Sequence, residues 1–257
     1  MLIVVSPAKS LDYESPLATT TATRPKMLER TMELIEVMRT KSPADVARLM
    51  SISPSLAQLN VDRYRDFELP FTKRNARQAL LAFNGDVYDG MAARATFSED
   101  DFAHAQKTFR ILSGLYGVLR PLDLMMPYRL EMGTNLTTAM GRDLYDFWGD
   151  EITRALGDAI KKSPGERVLV NLASKEYFGS VRPAKLQAPV VSPVFLDGKG
   201  KGEPKIISFF AKKARGIMSG WLIRERITSA DDIVNFAEAG YAFDPVRSAA
   251  ERPVFVR

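Results

Sequence analysis

The stretch IISFFAKKARGIMSGWLIRER, residues 206–226, combines a helical pattern with a concentration of positive charge. It begins as a short apolar strand, and the rest forms two faces when it is placed on a helix at about 100° per residue. One face is apolar and contains Phe209, Phe210, Ala214, Ile217, Met218, Trp221 and Leu222. The other face is basic and contains Lys212, Lys213, Arg215, Arg224 and Arg226. The sequence therefore predicts an amphipathic helix that packs through its apolar face.

The charge of this helix has two interpretations. Residues 205–226 contain six Lys or Arg and one acid, so their excess equals the formal charge of +5 of the whole chain. Such a cluster is compatible with an ordinary solvated face, or with a surface that binds polyanions. Gly216 and Gly220 lie on the basic side, where each costs about 1 kcal/mol relative to alanine. We expect another backbone to approach closely there, and a nucleic-acid strand would qualify.

Composition restricts the class of protein. The chain has 257 residues, of which 46% are hydrophobic and 26% charged, so we expect one folded domain over residues 1–257. It has no cysteine, which excludes disulfides, thiolate metal sites and a cysteine nucleophile. The start MLIVVSPAKS lacks the features of a signal peptide, and no stretch approaches the roughly 20 apolar residues of a membrane span. We therefore expect a cytoplasmic protein that has no membrane contact.

Short apolar runs alternate with amphipathic segments along the chain. Residues 2–5, 80–83, 168–172 and 205–210 are predicted strands, and residues 142–162 form the clearest further helix. Helices and strands are interspersed, and no internal repeat or linker separates them. The pattern predicts a single α+β domain, in which helices surround a mixed β-sheet.

Residues 43–61, PADVARLMSISPSLAQLNV, predict two short helices joined by a tight link. Ser53 is a favourable N-cap and Pro54 a favourable first helical residue. The pattern resembles a helix-hairpin-helix module, whose second helix offers backbone N–H groups to a DNA phosphate. Ser51 and Ser53 replace the hairpin glycines of that module, and serine adopts a positive φ less readily. The element is either a phosphate contact through Ser51, Ser53 and Ser55 or a packed helix pair without a ligand.

Three further cations lie at the ends of predicted elements. Lys9 follows the first strand, and Lys175 opens a helix that follows the strand at residues 168–172. Arg129 and Glu131 fall on the same side of an alternating segment, so they form either a buried ion pair or an arginine aimed at a phosphate. These positions suit an anion, although strands also end in this way without any ligand.

Several catalytic and metal-binding signatures are missing from the sequence. There is no Walker-type loop, no G-x-G-x-x-G after a strand and no G-x-S-x-G. The only histidine, His104, lies in a segment where Ser98 and Asp101 predict a capping box at a helix start. We therefore predict no metal site and no cofactor, and we identify no catalytic residue.

Five motifs stand out along the chain: SPAKSLD at 6–12, FNGDVY at 83–88, LSGLYGVLRPLDLMMPYRLEMG at 112–133, NLASKEYF at 171–178 and SFFAKKARGIM at 208–218. Together they resemble the motifs of the YaaA-type peroxide stress resistance family. The resemblance implies a cytoplasmic bacterial protein that protects against hydrogen peroxide, with links to DNA repair and to limiting reactive iron. It also implies a single-domain α+β fold, a positively charged cleft and a helix-hairpin-helix DNA-binding element, which maps onto residues 43–61. The family brings no established catalytic residues.

Three functions remain to be compared. The first is sequence-nonspecific binding of duplex or branched DNA, in which Lys9, Arg129, Lys175 and the cluster at 212–215 hold phosphates. The second is an enzyme that acts on a phosphorylated small molecule or nucleic acid, with Glu131 or Asp86 transferring protons. The third is iron sequestration, which the shortage of ligands disfavours. The sequence does not determine the oligomeric state, and we expect a monomer.

Overall fold

A computed structural model describes residues 1–198 and 202–257 and has the predicted α+β architecture with mixed sheets. The strands are β1 (Leu2–Val5), β2 (Ser10–Leu11), β3 (Arg77–Gln78), β4 (Phe83–Asn84), β5 (Phe109–Ser113), β6 (Gly117–Leu119), β7 (Leu124–Met125), β8 (Leu169–Asn171), β9 (Val190–Val191), β10 (Val194–Leu196), β11 (Ala242–Phe243) and β12 (Val254–Val256).

Helices separate most of these strands. They are α1 (Leu28–Arg39), α2 (Pro43–Met50), α3 (Pro54–Arg65), α4 (Ala79–Ala82), α5 (Asp86–Met91), α6 (Ala93–Thr96), α7 (Glu99–Thr108), α8 (Leu144–Trp148), α9 (Glu151–Lys162), α10 (Lys175–Phe178), α11 (Pro183–Leu186) and α12 (Ser208–Arg224). A 3₁₀ helix follows at Asp231–Asn235.

The central sheet has five strands in the order β6-β5-β1-β8-β9. β1 lies in the middle and pairs in parallel with β5 and β8, so that Ile3 is opposite Phe109 on one side and Val170 on the other. β6 runs antiparallel at one edge. All four residues of β1 are buried, as expected for a parallel strand that is covered on both faces. The carboxyl ends of β1 and β8 therefore meet at the same edge of the sheet.

The remaining strands form smaller sheets around this centre. β10, β12 and β11 form a three-stranded mixed sheet, while β2 pairs with β4 and β3 pairs with β7. One cluster of buried apolar side chains extends from Met1 to Phe255, with Trp148 and Tyr116 among its largest members. Burial of this apolar surface is the main force that holds the layers together.

The glycines of α12 serve a contact within the protein. α12 packs most extensively against α5, and a Cβ added at Gly216 would overlap the carbonyl oxygen of Val87. In the same crossing, a Cβ at Gly90 would overlap the carbonyl oxygen of Lys213. The prediction of a close backbone approach is confirmed, but that backbone belongs to α5. The suggestion of a nucleic-acid strand at these glycines is wrong.

Other differences from the predicted elements have local causes. Residues 80–83, predicted as a strand, lie mainly in α4, and α12 begins within the predicted strand 205–210. Phe209 consequently lies in the first turn of α12 and is 54% exposed, although its position on the helix predicts burial. The predicted helix 142–162 is divided at Gly149, which has a φ of 49°. Periodicity alone does not detect such breaks, because both halves keep their apolar face.

Candidate functional site at the carboxyl edge of the central sheet

A polar cavity of about 450 Å³ lies where the loops after β1 and β8 face the starts of α5 and α12. We call it the β1–β8 cavity. Its wall includes Ser6, Lys9, Asp86, Tyr88, Glu131, Ser174, Glu176, Tyr177, Lys212 and Arg215. Parallel sheets commonly bind ligands outside the carboxyl ends of their strands, so the position itself is typical of a binding site.

Hydrogen bonds fix the floor of the β1–β8 cavity. The backbone N–H of Ser174 donates to the hydroxyl oxygen of Ser6 over 2.9 Å, and the Tyr88 hydroxyl donates to the Ser6 carbonyl over 3.0 Å. Ser174 also caps α10 by accepting from the N–H of Tyr177. Burial raises the pKa of Tyr88 and Tyr177 well above the usual range, so both phenols stay protonated at neutral pH.

Glu131 holds two of the predicted cations at the cavity. Its Oε1 lies 3.0 Å from Lys9 Nζ and 3.0 Å from Arg129 Nη2. The Lys9 side chain remains 69% exposed, whereas that of Arg129 is 16% exposed. Buried Nε of Arg129 has no hydrogen-bond partner among the residues that the structure describes. Arg129 and Glu131 form the ion pair that was one of the two predicted alternatives, whereas a contact of Arg129 with a phosphate stays a prediction.

The cations of α12 differ in how they are neutralised. Lys212 Nζ lies 3.9 Å from Asp86 Oδ2, a loose pair with a side chain that is 54% exposed. Lys213 is exposed, and Arg215 lines the cavity half-buried. Within residues 1–198 and 202–257, neither Lys213 nor Arg215 forms an ion pair. Burial lowers the pKa of the Arg215 guanidinium, because no nearby carboxylate compensates for its lost hydration.

The wall of the β1–β8 cavity is not uniformly basic. Its cations Lys9, Lys212 and Arg215 are matched by three carboxylates, those of Asp86, Glu131 and Glu176. The other predicted cations, Arg129, Lys175 and Lys213, are not wall residues, and the predicted positively charged cleft stays a prediction. Lys175 is an exposed residue in the first turn of α10, beside the cavity rather than in its wall.

The serines of the α2–α3 link lie elsewhere. Ser51 has a φ of 51°, the left-handed conformation that a hairpin glycine would adopt. Ser53 caps α3 by accepting from the N–H of Leu56 over 3.3 Å, and its hydroxyl lies 3.1 Å from that of Ser55. All three serines are exposed. The predicted helix–link–helix geometry is confirmed, but these serines do not line the β1–β8 cavity.

The other end of α3 contacts the segment that contains Arg129. Tyr64, near the end of α3, donates a hydrogen bond to the backbone carbonyl of Arg129. Ten residues separate Pro54 from Tyr64, which corresponds to about 15 Å along a helix. The link and the cavity are separate surfaces, because no wall residue of the cavity belongs to α2 or α3.

Some residues of the cavity were not identified from the sequence. Ser6, Tyr88, Glu176 and Tyr177 were missed as wall residues. Ser6 directly follows β1, so its position at a strand end was a usable signal. Glu176 and Tyr177 are brought in by the packing of α10, for which the sequence carries no comparable signal.

The described residues contain neither a candidate metal cluster nor a helix that could span a membrane. In the described portion of the chain, no three His, Cys, Asp or Glu side chains cluster in a way that could hold a metal ion. His104 lies on α7, which begins with the predicted capping box between Ser98 and Asp101. None of the helices in this portion has the length and apolar character needed to cross a bilayer.

Comparison with protein families adds an independent observation. A family model described as peroxide stress protein YaaA matches residues 1–247, nearly the whole chain and every element of the β1–β8 cavity. The resemblance drawn from the five sequence motifs is confirmed. The chain belongs to the YaaA family of peroxide stress proteins.

Proposed function

We propose that this protein binds DNA through the phosphate backbone, without sequence specificity, in the bacterial response to hydrogen peroxide. Duplex or branched DNA lies over the mouth of the β1–β8 cavity in this proposal. Lys9, Arg129, Lys175 and the cations of α12 contact its phosphates. Phosphate contacts position a protein on DNA but carry no sequence information by themselves, which accounts for the lack of specificity.

The observation that carries this proposal is the environment of Arg215. Its guanidinium is half-buried in the cavity wall, and the described residues provide no carboxylate to pair with it. A desolvated charge without a counter-ion is unfavourable unless a ligand supplies one. Phosphate oxygens match the fork of a guanidinium, and the exposed Lys175 and Lys213 add attraction around it.

The α2–α3 link is the second contact in this proposal. Its exposed serines lie about 15 Å along α3 from Tyr64, which contacts the backbone of Arg129. At about 3.4 Å per base pair, this separation corresponds to roughly four to five base pairs of duplex. In this proposal, one duplex contacts both the link and the mouth of the cavity.

An enzyme is the second candidate, and one observation favours it. The β1–β8 cavity has a volume of about 450 Å³, within the range of small-molecule sites, and three carboxylates converge on it. Glu131 or Asp86 would then transfer a proton while Lys9, Arg129 and Lys175 hold a phosphate. The substrate would be a phosphorylated small molecule or a nucleic acid.

Salt dependence of duplex binding tests the first candidate. Fluorescence anisotropy of a labelled duplex, from dilute to physiological salt, is expected to give an affinity that falls steeply. The log–log slope is about 0.9 for each phosphate neutralised, so four contacts give a slope of about 3.6. An affinity that does not change with salt contradicts backbone binding. Product formation from phosphorylated nucleosides or DNA, lost in Glu131→Gln, would instead favour the enzyme.

The proposal also bears on where the protein acts and on whether it binds iron. A DNA-binding protein that limits peroxide damage acts where the bacterial chromosome lies, which is the cytoplasm. We assign protection to the covering of DNA rather than to storage of iron. Calorimetry with ferrous iron is expected to show no stoichiometric uptake, and one or more tightly bound ions per chain would contradict this assignment.

A further inference from the structure

A second charged pocket lies apart from the β1–β8 cavity and shares no wall residue with it. It has a volume of about 210 Å³ and lies beside α9, between the residues that precede α1 and the strands β5 and β6. We call it the Arg110 pocket. Its charged wall residues are Lys26, Arg110, Arg120, Asp123, Asp158 and Lys162.

Arg110 forms the buried part of this pocket. It is 8% exposed, and its Nη1 donates to the carbonyl oxygens of Gln106 and Phe109 at the end of α7. Its Nε and Nη2 donate to no protein atom in the described part of the chain. Burial, followed by repulsion from Arg120, lowers the pKa of Arg110 to about 10. One side of the guanidinium is thus structural, and the other side keeps donors for a ligand.

The carboxylates of the pocket are already engaged. Asp123 is 1% exposed and accepts from both Nε and Nη2 of Arg120, and also from the hydroxyl of Thr23. Asp158 is largely exposed and pairs with Lys161, whose Nζ lies 3.7 Å away. The pocket wall contains four cations and two carboxylates, and no carboxylate pairs with Arg110 in the described residues.

Two of these four cations, Lys26 and Lys162, are exposed lysines at the rim of the pocket. Burial and the charges of Arg120, Lys162 and Arg110 lower the pKa of Lys26, so these cations repel one another. Such clustering disfavours the empty pocket, and an anion that enters it removes the repulsion.

We infer that the Arg110 pocket binds a small phosphate-bearing anion, either inorganic phosphate or the phosphate of a small monoester. The free donors of Arg110 contact the phosphate oxygens, and Lys26 and Lys162 close over it. Guanidinium groups bind phosphate in a bidentate manner, whereas lysines act as adjustable point charges. The pocket is smaller than the 300–1,000 Å³ that is usual for larger organic ligands, which favours a small anion.

Isothermal titration calorimetry of the full chain tests this inference, with inorganic phosphate and glycerol phosphate as separate probes. Saturable binding of one ion per chain is expected. The double variant Lys26→Gln/Lys162→Gln should weaken it about tenfold or more, as for the loss of charge-assisted hydrogen bonds. Equal affinity for the two probes would mean that the pocket has room for the organic group of a monoester. Binding of inorganic phosphate alone would mean that the pocket accepts only the free ion.

Lys73→Gln is the matched control, because Lys73 is also an exposed lysine but lies outside the wall of the Arg110 pocket. It should leave phosphate affinity within about twofold. Arg110→Gln should abolish binding, and its thermal unfolding reports whether the cap of α7 survives. The absence of saturable binding to the wild-type chain overturns the inference. It is also overturned if Lys73→Gln weakens phosphate binding as much as the double variant does.

Duplex binding by the same double variant separates this site from the proposed DNA surface. The affinity for a duplex should stay within about threefold of the wild type, since the two cavities share no wall residue. A parallel loss of phosphate and duplex affinity would make the pocket part of the DNA surface and overturn the inference. Phosphate binding without any duplex binding would refute the DNA proposal alone.

Discussion

The β1–β8 cavity and the α2–α3 link are both predicted to contact phosphates, but they are built differently. The cavity gathers charged residues from distant segments, including Lys9, Glu131 and Arg215. The link uses consecutive residues, and its polar groups already close α3: the Ser53 hydroxyl accepts from Leu56 and the Ser53 carbonyl from Ala57. In a local motif such as this link, most polar groups form hydrogen bonds that stabilise the helix itself. Charged side chains that come together from distant segments, as at the cavity, remain free to bind a ligand.

Few backbone N–H groups remain free at the start of α3. Pro54, the first residue of α3, has no N–H, and Leu56 and Ala57 donate to Ser53. Among the described residues at the link, the N–H groups of Ser53 and Ser55 remain without a partner. The link therefore offers two backbone donors, while the cavity mouth offers several charged side chains. We expect the cavity to dominate the affinity for DNA.

Reversal of charge at the start of α12 should give the largest effect. Lys212→Glu/Lys213→Glu is expected to reduce duplex affinity at least about 100-fold at low salt, since like charges would face the phosphates. The salt slope should fall by about 1.8 for two lost contacts. Both side chains are exposed, so circular dichroism should show an unchanged fold.

Lys161→Glu/Arg167→Glu is the matched control for this reversal. It changes the net charge of the chain equally, at two exposed residues that lie outside the cavity wall and outside the α2–α3 link. It should reduce duplex affinity less than about fivefold through long-range repulsion. Equal losses in both double variants would mean that net charge, rather than the cavity, controls binding.

Loss of the Arg215 guanidinium should have the second-largest effect on duplex affinity. Arg215→Gln is expected to weaken duplex binding about tenfold, as for a charge-assisted hydrogen bond. The free energy of unfolding should not decrease, because the substitution removes a desolvated charge that has no counter-ion in the described structure. Anisotropy and urea unfolding measure the two effects. Unchanged affinity together with lost stability would assign Arg215 a structural role.

Removal of the carboxylate between two cations should have a smaller effect of opposite sign. Glu131→Gln frees Lys9 and Arg129 and is expected to tighten duplex binding about threefold. Glu36→Gln, which breaks the surface pair of Glu36 with Arg39, is the control and should leave affinity unchanged. Weaker binding in Glu131→Gln would mean that Glu131 orients its cations more than it neutralises them.

The smallest effect on binding is expected at the α2–α3 link. Ser51 has a φ of 51°, so Ser51→Gly should stabilise the fold by about 0.5–1 kcal/mol and leave duplex affinity within about twofold. Ser55→Gly, within α3, should instead reduce stability by up to about 1 kcal/mol. A tenfold gain in affinity for Ser51→Gly would make the link, rather than the cavity, the principal contact.

The sequence predicted those features that depend on neighbouring residues. The capping box of Ser98 and Asp101, the N-cap at Ser53 and the buried strand β1 follow local rules, and the structure has all three. β5 was not separated from its surroundings, because it runs directly into the Gly- and Pro-rich stretch 114–127 and does not stand out as a separate apolar run. A close backbone approach at Gly216 was predicted, but its partner was not, because α5 lies far away in the sequence.

The cations of the site were predicted from the sequence, whereas their carboxylate partners, apart from Glu131 beside Arg129, were not. Lys9, Arg129 and Arg215 were identified from their places at element ends and on one helix face, and they meet around the β1–β8 cavity. The pairing of Lys9 with Glu131 depends on tertiary packing, for which single-sequence patterns carry no signal. The same limit explains why Glu176 was missed. Whether these residues bind DNA stays a prediction.

Hydrogen–deuterium exchange with and without a short duplex tests the central claim most directly, because it maps the contact along the whole chain. Slower exchange is predicted in residues 6–10, in residues 172–177 and at the start of α12. The α2–α3 link should show weaker protection, and residues 161–167 none. Protection confined to the α2–α3 link, or no protection in any of these segments at saturating duplex, would contradict the assignment of DNA binding to the β1–β8 cavity.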